Sequence, residues 1–325
     1  MTESLTASAC ASRALATALE PVVGSVYFAP EAHAAYEALG FAPSPGAITD
    51  GGWGEAHWGP VMMHDYVTYF ASRGGLLGRV HGTVVAAAFG VFNPAAVVPA
   101  IDMAWQIAEP HDVVAARTQG AVAQLVRILG PQPDGLARAI ELLGRAVAPL
   151  SMPGRPMFAA VAAQRPPDEP LGRMWHLGDQ LREFRGDAHV AAFAAAGFDG
   201  CQFQVLTERC AGMPPRSYSL TRGWDPDSLA AAERRLVTLG LVAADGAVTA
   251  DGRAAREAVE LETDAACVPM VEALGDEAAE LVGILRPWGD AIRAANGYYP
   301  SSPQLATLDP AVNDWMLASG LPAFA

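Results

Sequence analysis

The chain has 325 residues, a formal charge of −14 and 51% hydrophobic residues, which excludes a disordered acidic tail and leaves room for more than one domain. All 21 basic residues are arginine and lysine is absent, so Schiff-base chemistry and a phosphate-loop lysine are excluded. The negative charge argues against a whole-surface footprint for nucleic acid, which needs basic stripes.

Cys10, Cys201, Cys210 and Cys267 show no C-x-x-C spacing and fit a reduced compartment better than a disulfide framework. The first residues carry Glu3 and no basic run, so no secretory signal is expected and the cytoplasm is the expected location. The most apolar stretch, 80–105, is broken by Asn93, Pro94, Pro99 and Asp102, too often to cross a bilayer.

In chain order, the first half offers FAPEAH (28–33), a Gly- and Trp-rich segment at 51–59, YFASRG (69–74), a nearly all-apolar helix over 76–89 and AQLVRILGP (123–131). The prolines between 149 and 170 mark a boundary. Beyond it the pattern predicts a helix over 171–184, a break at Gly186, and a short helix capped by Asp187 and ended by Gly197. Asp225 and Pro226 open the next helix, with Leu229, Leu236 and Leu239 at helical spacing and Gly240 as its stop. Asp245 and Gly246 between short apolar runs predict a two-residue hairpin, and a long helix follows over 253–266.

Three stretches recur. FAPEAH matches FRGDAH (184–189) and AQLVRILGP matches AELVGILRP (279–287), both at an offset of 156, while YFASRG matches YSLTRG (218–223) at 149. The expectation is a tandem duplication, residues 1–150 and 151–325, with about seven extra residues in the first half.

The run RRLVTLGLVAADGAVTADGRAAREAVE (234–260) resembles the recognition helix, wing and following helix of MarR-type regulators. The whole chain also resembles an actinobacterial family carrying a helix-turn-helix label, some of whose members lie beside natural-product genes. The resemblance implies a mainly α fold of two winged helix-turn-helix repeats with small β-wings, each an otherwise separate subunit. Fused in one chain they would be related by a pseudo-two-fold axis, where 125–129 and 281–285 would meet. It also implies a pocket for small phenolic ligands between the dimerisation helices and the winged domain.

DNA reading is not expected to survive. A working wing carries Arg or Lys, and its recognition helix offers polar side chains to bases. Here the second wing is Ala244, Asp245, Gly246 and Ala247, and the first would be Phe92, Asn93, Pro94 and Ala95. The expected partner is a small organic ligand, anionic or phenolic, with no nucleic acid, membrane, metal or cofactor, in a monomer or homodimer. Two readings of its use stay open: a binder, or a cofactor-independent acid/base enzyme of specialised metabolism. A ligand-responsive regulator is the alternative.

The site candidates are the repeated residues. His33, His189 and Tyr69 are the candidates for acid/base work. Arg185, Asp187, Arg73, Tyr27, Trp105, Tyr218, Arg222 and Trp224 are the candidates for ligand contacts, Arg as a fork for carboxylate and Tyr as a flat donor. Each has a purely structural alternative, a cap or a helix-face ion pair. Asp187 or Glu183 could orient His189. Glu55, His57, His64 and Asp65 lie close in sequence but match no metal-ligand spacing. The copies have diverged unequally, which predicts one site from unlike halves: His189 and Arg185 at its polar end, Tyr27, Tyr69 and Trp105 as its apolar wall.

Overall fold

Prolines and short polar side chains set most helix starts in this chain. The computed structural model describes residues 6–300 and 309–324. The helices are α1 (Ala7–Val23), α2 (Pro30–Ala38), α3 (Trp53–Trp58), α4 (Tyr66–Gly74), α5 (Gly82–Phe89), α6 (Pro94–Ile107), α7 (Pro110–Leu129), α8 (Leu136–Val147), α9 (Pro156–Ala162), α10 (Pro170–Ala195), α11 (Gly200–Cys210), α12 (Pro226–Thr238), α13 (Ala250–Glu272), α14 (Glu277–Ala294) and α15 (Pro310–Ala318). Asn93, Asp225 and Asp309 cap α6, α12 and α15 with a side-chain oxygen, each just ahead of a proline whose missing N–H costs nothing there. The protein is mainly α, and among the described residues no helix is long and apolar enough to cross a membrane. All four cysteines are free.

The central element is α10, 26 residues long and packed by α1, α7, α8, α9 and α13. It buries residues on every face, from Leu171 and Trp175 to Phe184 and Ala188. Such all-round burial is the signature of a core helix. α1 lies against α10 on one side and α14 on the other. The α2–α7 crossing depends on Gly120: a Cβ there would fall 2.3 Å from Ala32 Cα. Two smaller cores flank this assembly, one around Phe70, Phe89 and Ile101 and one around Phe203, Leu206 and Leu236.

Several local expectations are corrected. Gly186 does not break a helix; α10 runs through it. A mid-helix glycine costs only about 1 kcal/mol relative to alanine, and packing on both sides outweighs that. Asp187 therefore caps no helix of its own. Its carboxylate instead accepts from Met157 N (3.3 Å) and Phe158 N (2.9 Å), capping α9. The helix expected over 76–89 is a 3-10 turn, a left-handed Gly78 (φ 77°) and then α5, whose Thr83, Val84 and Ala87 face solvent.

The two-residue hairpin expected at Asp245–Gly246 is not formed; a three-residue turn, Ala244 to Gly246, stands there with a single bridge beside it. Ala243 N donates to Ala247 O (2.8 Å), and one antiparallel bridge joins Val242 to Val248. No strand forms among the described residues, because Thr249 already turns away to cap α13. At 92–95 there is no wing at all: Asn93 is the cap of α6.

The expected duplication is not seen among the described residues, where two of the three repeated stretches differ in secondary structure. YFASRG is the helix α4, whereas YSLTRG is a turn of 3-10 helix, Ser219–Arg222, with its flanks. FAPEAH leads into α2, whereas FRGDAH lies inside α10. AQLVRILGP and AELVGILRP are both helical and their helices pack together, but α7 stops at Gly130 while α14 continues through Pro287.

Candidate functional site

A cavity of about 290 Å³ opens between the central core and the two flanking ones. α1 supplies Arg13, Leu19 and Glu20; α4 supplies Tyr69 and Arg73; α10 supplies Arg182, Arg185, Gly186 and His189. Gln204 and Thr207 enter from α11, Arg256 and Glu260 from α13, Arg293 from α14, and Phe92 from the turn before α6. Tyr218 and Arg222 come from the strap between α11 and α12. Residues of 1–150 and of 151–325 therefore line one space.

The strap is held in place by a buried carboxylate. Glu208 accepts the backbone N–H groups of Arg216, Tyr218 (2.9 Å) and Ser219 (2.8 Å). Its far end is tied to the first half: Asn93 N donates to Arg222 O (3.0 Å), Tyr66 OH to Thr221 O (2.8 Å) and Trp224 Nε1 to Val91 O (2.9 Å).

The walls are a lattice of ion pairs. Arg73 forks onto Glu183, and Arg182 bonds both Glu20 and Glu183. Arg13 and Arg185 share Asp264, Arg13 also reaches Glu257, and Arg185 and Arg256 share Glu260. Burial works to raise the Glu183 carboxyl, but Arg73 and Arg182 outweigh it and hold it down at about 2. Glu260 is likewise depressed: burial opposes its charge, and the Arg256 and Arg185 guanidiniums overcome that.

Seven arginines line the cavity and five carboxylates bond to them, Glu20, Glu183, Glu257, Glu260 and Asp264, a surplus of two positive charges. The surplus sits on Arg222 and Arg293, which have no carboxylate partner among the described residues. Arg293 is spent on the carbonyl of Tyr299. Arg222 meets only hydroxyls, those of Tyr218 and of Thr221 (3.3 Å), and lies over the rings of Phe92 (5.1 Å) and Tyr218 (4.3 Å).

His189 is neutral here. Burial pushes its imidazole down to about 4; Glu260 opposes this, and Arg256 and Arg185 reinforce it. Nδ1 lies 3.1 Å from Thr263 Oγ1 and 3.8 Å from Glu260 Oε1. The two carboxylates expected to orient it are engaged elsewhere, Glu183 by Arg73 and Arg182 and Asp187 by α9.

Of the residues singled out in the sequence, His189, Tyr69, Arg73, Arg185, Tyr218 and Arg222 meet in this cavity. The others do not line it. His33 is buried on α2, edge-on to Tyr36, and burial lowers its pKa. Tyr27 lies behind Tyr69, ring centroids 5.0 Å apart, with its hydroxyl on Arg117 (3.1 Å). Trp105 donates to Val80 O (3.2 Å), and Trp224 fastens the strap. The 51–59 segment is α3, which buries Trp58 against Phe28 and Tyr299 and does not cover the cavity. Glu55 and Asp65 bond local backbone, Gly51 N (2.8 Å) and Thr68 N (3.2 Å). Sequence reasoning missed Arg13, Glu20, Arg256 and Glu260. The i,i+4 spacing of Arg256 and Glu260 was a usable signal; nothing local marks Arg13.

The model of a helix-turn-helix family matches residues 12–300, and the chain belongs to that family. No curated protein and no solved structure matches it.

Proposed function

We propose that this protein binds a small organic anion in the arginine-lined cavity, on a MarR-like framework that no longer reads DNA. The observation that carries the reading is Arg222. It is an always-charged group on a cavity wall with aromatic rings beside it and no carboxylate partner among the described residues. A charge in a protein wall is costly unless paired, and a ligand carboxylate matches the guanidinium fork.

The order α11, α12, single-bridge hairpin, α13 supports a winged-helix second half. A tandem origin would rest on the sequence repeats and, in three dimensions, on the one pair that is helical in both halves, AQLVRILGP in α7 and AELVGILRP in α14, whose helices pack together. A binder is favoured over an acid/base enzyme, because an imidazole near 4 is poorly matched to proton transfer at neutral pH.

A ligand-responsive regulator is the second reading, favoured by Arg234 and Arg235, both exposed on α12. Against it stand the exposed Asp227 on the same helix, Asp245 in the hairpin turn and the uncharged exposed face of α5. The test is calorimetry with small aromatic carboxylates beside gel retardation of the neighbouring promoter DNA. One carboxylate per chain, weakened at least tenfold by Arg222→Gln, is expected, without specific retardation. Specific retardation at about nanomolar protein, the range of true operators, would overturn it in favour of the regulator.

A further inference from the structure

Resting on that anion-site reading, the structure points to a second recognition element, and it lies in the hydrogen-bonding state of His189. The hydroxyl of Thr263 has one proton, and its geometry assigns that proton to Val259 O, one helical turn back at 2.7 Å. Toward His189 Nδ1, at 3.1 Å, the same oxygen is therefore an acceptor. The carboxylate of Glu260, 3.8 Å from Nδ1, favours a proton on that nitrogen as well. Both neighbours fix the neutral ring with hydrogen on Nδ1 and the lone pair on Nε2.

Among the described residues Nε2 has no hydrogen-bond partner, in a side chain that lines the cavity and keeps 26% of its surface accessible. The nearby arginines do not reverse this assignment: Arg185 and Arg256 can only donate, both bond Glu260, and neither bonds the His189 ring. Phe193 and Phe203 close the ring's other sides, edge-on at centroid distances of 6.2 Å and 5.2 Å.

We infer that His189 Nε2 is the specificity determinant of the cavity and accepts a hydrogen bond from a hydroxyl or N–H of the ligand, so that the ligand is a hydroxylated or amino-bearing carboxylate. Arg222 takes the carboxylate; Tyr69, Phe92 and Tyr218 supply flat walls for a ring or conjugated chain. A ligand without the donor leaves Nε2 unpaired in a largely desolvated wall, which lowers its affinity. Thr263 is a positioning residue that acts through the ring.

The test uses benzoate, phenylacetate and cinnamate, each beside its 3- and 4-hydroxy forms, titrated calorimetrically into the full-length protein. In at least one series a hydroxy form should bind about 5- to 10-fold tighter than its parent, the size of one hydrogen bond. That preference should vanish in His189→Phe, return in His189→Gln, whose amide oxygen is again an acceptor, and shrink in Thr263→Val. ¹⁵N spectra of histidine-labelled protein at pH 7 give an independent readout, with His189 protonated on Nδ1 alone. Parent and hydroxy forms binding equally, a preference that survives His189→Phe, or a proton on Nε2 would overturn the inference and leave the anion site standing. Failure of every carboxylate to bind, with intact folding, would overturn the anion site and the inference together.

Discussion

Arg73 on α4 grips Glu183 on α10 with two parallel hydrogen bonds, Nε to Oε1 at 2.9 Å and Nη2 to Oε2 at 2.6 Å. Glu183 is 0% exposed, and its remaining partner is Arg182 at 2.9 Å. The pair fastens the first-half helical unit to the central helix at the cavity wall. Removing Arg73 strips Glu183 of its two-bond partner and leaves only the single bond from Arg182, and breaking a buried pair costs about 3–5 kcal/mol. Arg73→Met should lower stability by that amount in urea unfolding. A loss under about 1 kcal/mol, the level of a surface pair, would mean that the pair is solvated.

Asp187 should behave as a remote helix cap. Burial raises its carboxyl to about 6, although the Phe158 and Met157 N–H groups pull it down. Asp187→Ala orphans both N–H groups and should cost about 1–2 kcal/mol, while Asp187→Asn keeps an acceptor and should cost little. Equal losses from the two variants in thermal unfolding at pH 7 would show that charge and not capping is at stake.

The parts legible in the sequence were those with local causes. Asp225, Pro226 and Gly240 marked α12 because caps and stops act within a turn, and the turn at Asp245–Gly246 was read the same way, though one residue too short. Gly186 and Asp187 misled because their roles are set at a distance: the α10 glycine lies between packed neighbours, and the carboxylate serves a helix 29 residues away. The YFASRG and YSLTRG stretches drew attention as repeats, and both contribute Tyr and Arg to the same cavity, yet one is a helix and the other a strap. His33, Trp105 and Trp224 were equally conspicuous in the sequence, and burial or a single backbone bond accounts for each. Arg13, in an alanine-rich helix, gave no sign because its partners Glu257 and Asp264 lie more than 240 residues on.

Gly186→Ala separates a continuous α10 from a broken one. A Cβ there would meet nothing closer than Glu183 Oε2 at 3.6 Å and Arg73 Nη2 at 3.8 Å. Stability should rise by up to about 1 kcal/mol, the helix propensity difference. A destabilised variant would place Gly186 at a hinge.

Acid should unfold this protein through its histidines. Burial depresses His57 and His189 to about 4 and His64 to about 3, with Arg222 adding to the effect on His57 and His64. In the unfolded chain they titrate near 6.5. Unfolding therefore takes up protons, and stability falls as pH drops from about 6.5 toward 4. Asp187 works in the opposite sense between about 4 and 6, because its folded form holds a proton more tightly. Burial also depresses His33 and His176 in the same sense, so the histidines outweigh Asp187 and the net uptake near pH 5 should exceed about one proton, a slope above about 1.4 kcal/mol per pH unit. Urea midpoints from pH 4.5 to 7.5 measure it, and a flat profile would contradict neutral buried histidines.

The central claim, an anion held by Arg222, is tested most directly by the crystal structure of the protein saturated with the tightest-binding aromatic carboxylate. The account predicts carboxylate oxygens about 2.7–2.9 Å from the Arg222 guanidinium nitrogens, with the ring of the ligand between the aromatic walls of Phe92 and Tyr218. A carboxylate seated on another arginine, with Arg222 still bonded only to hydroxyls, would contradict it.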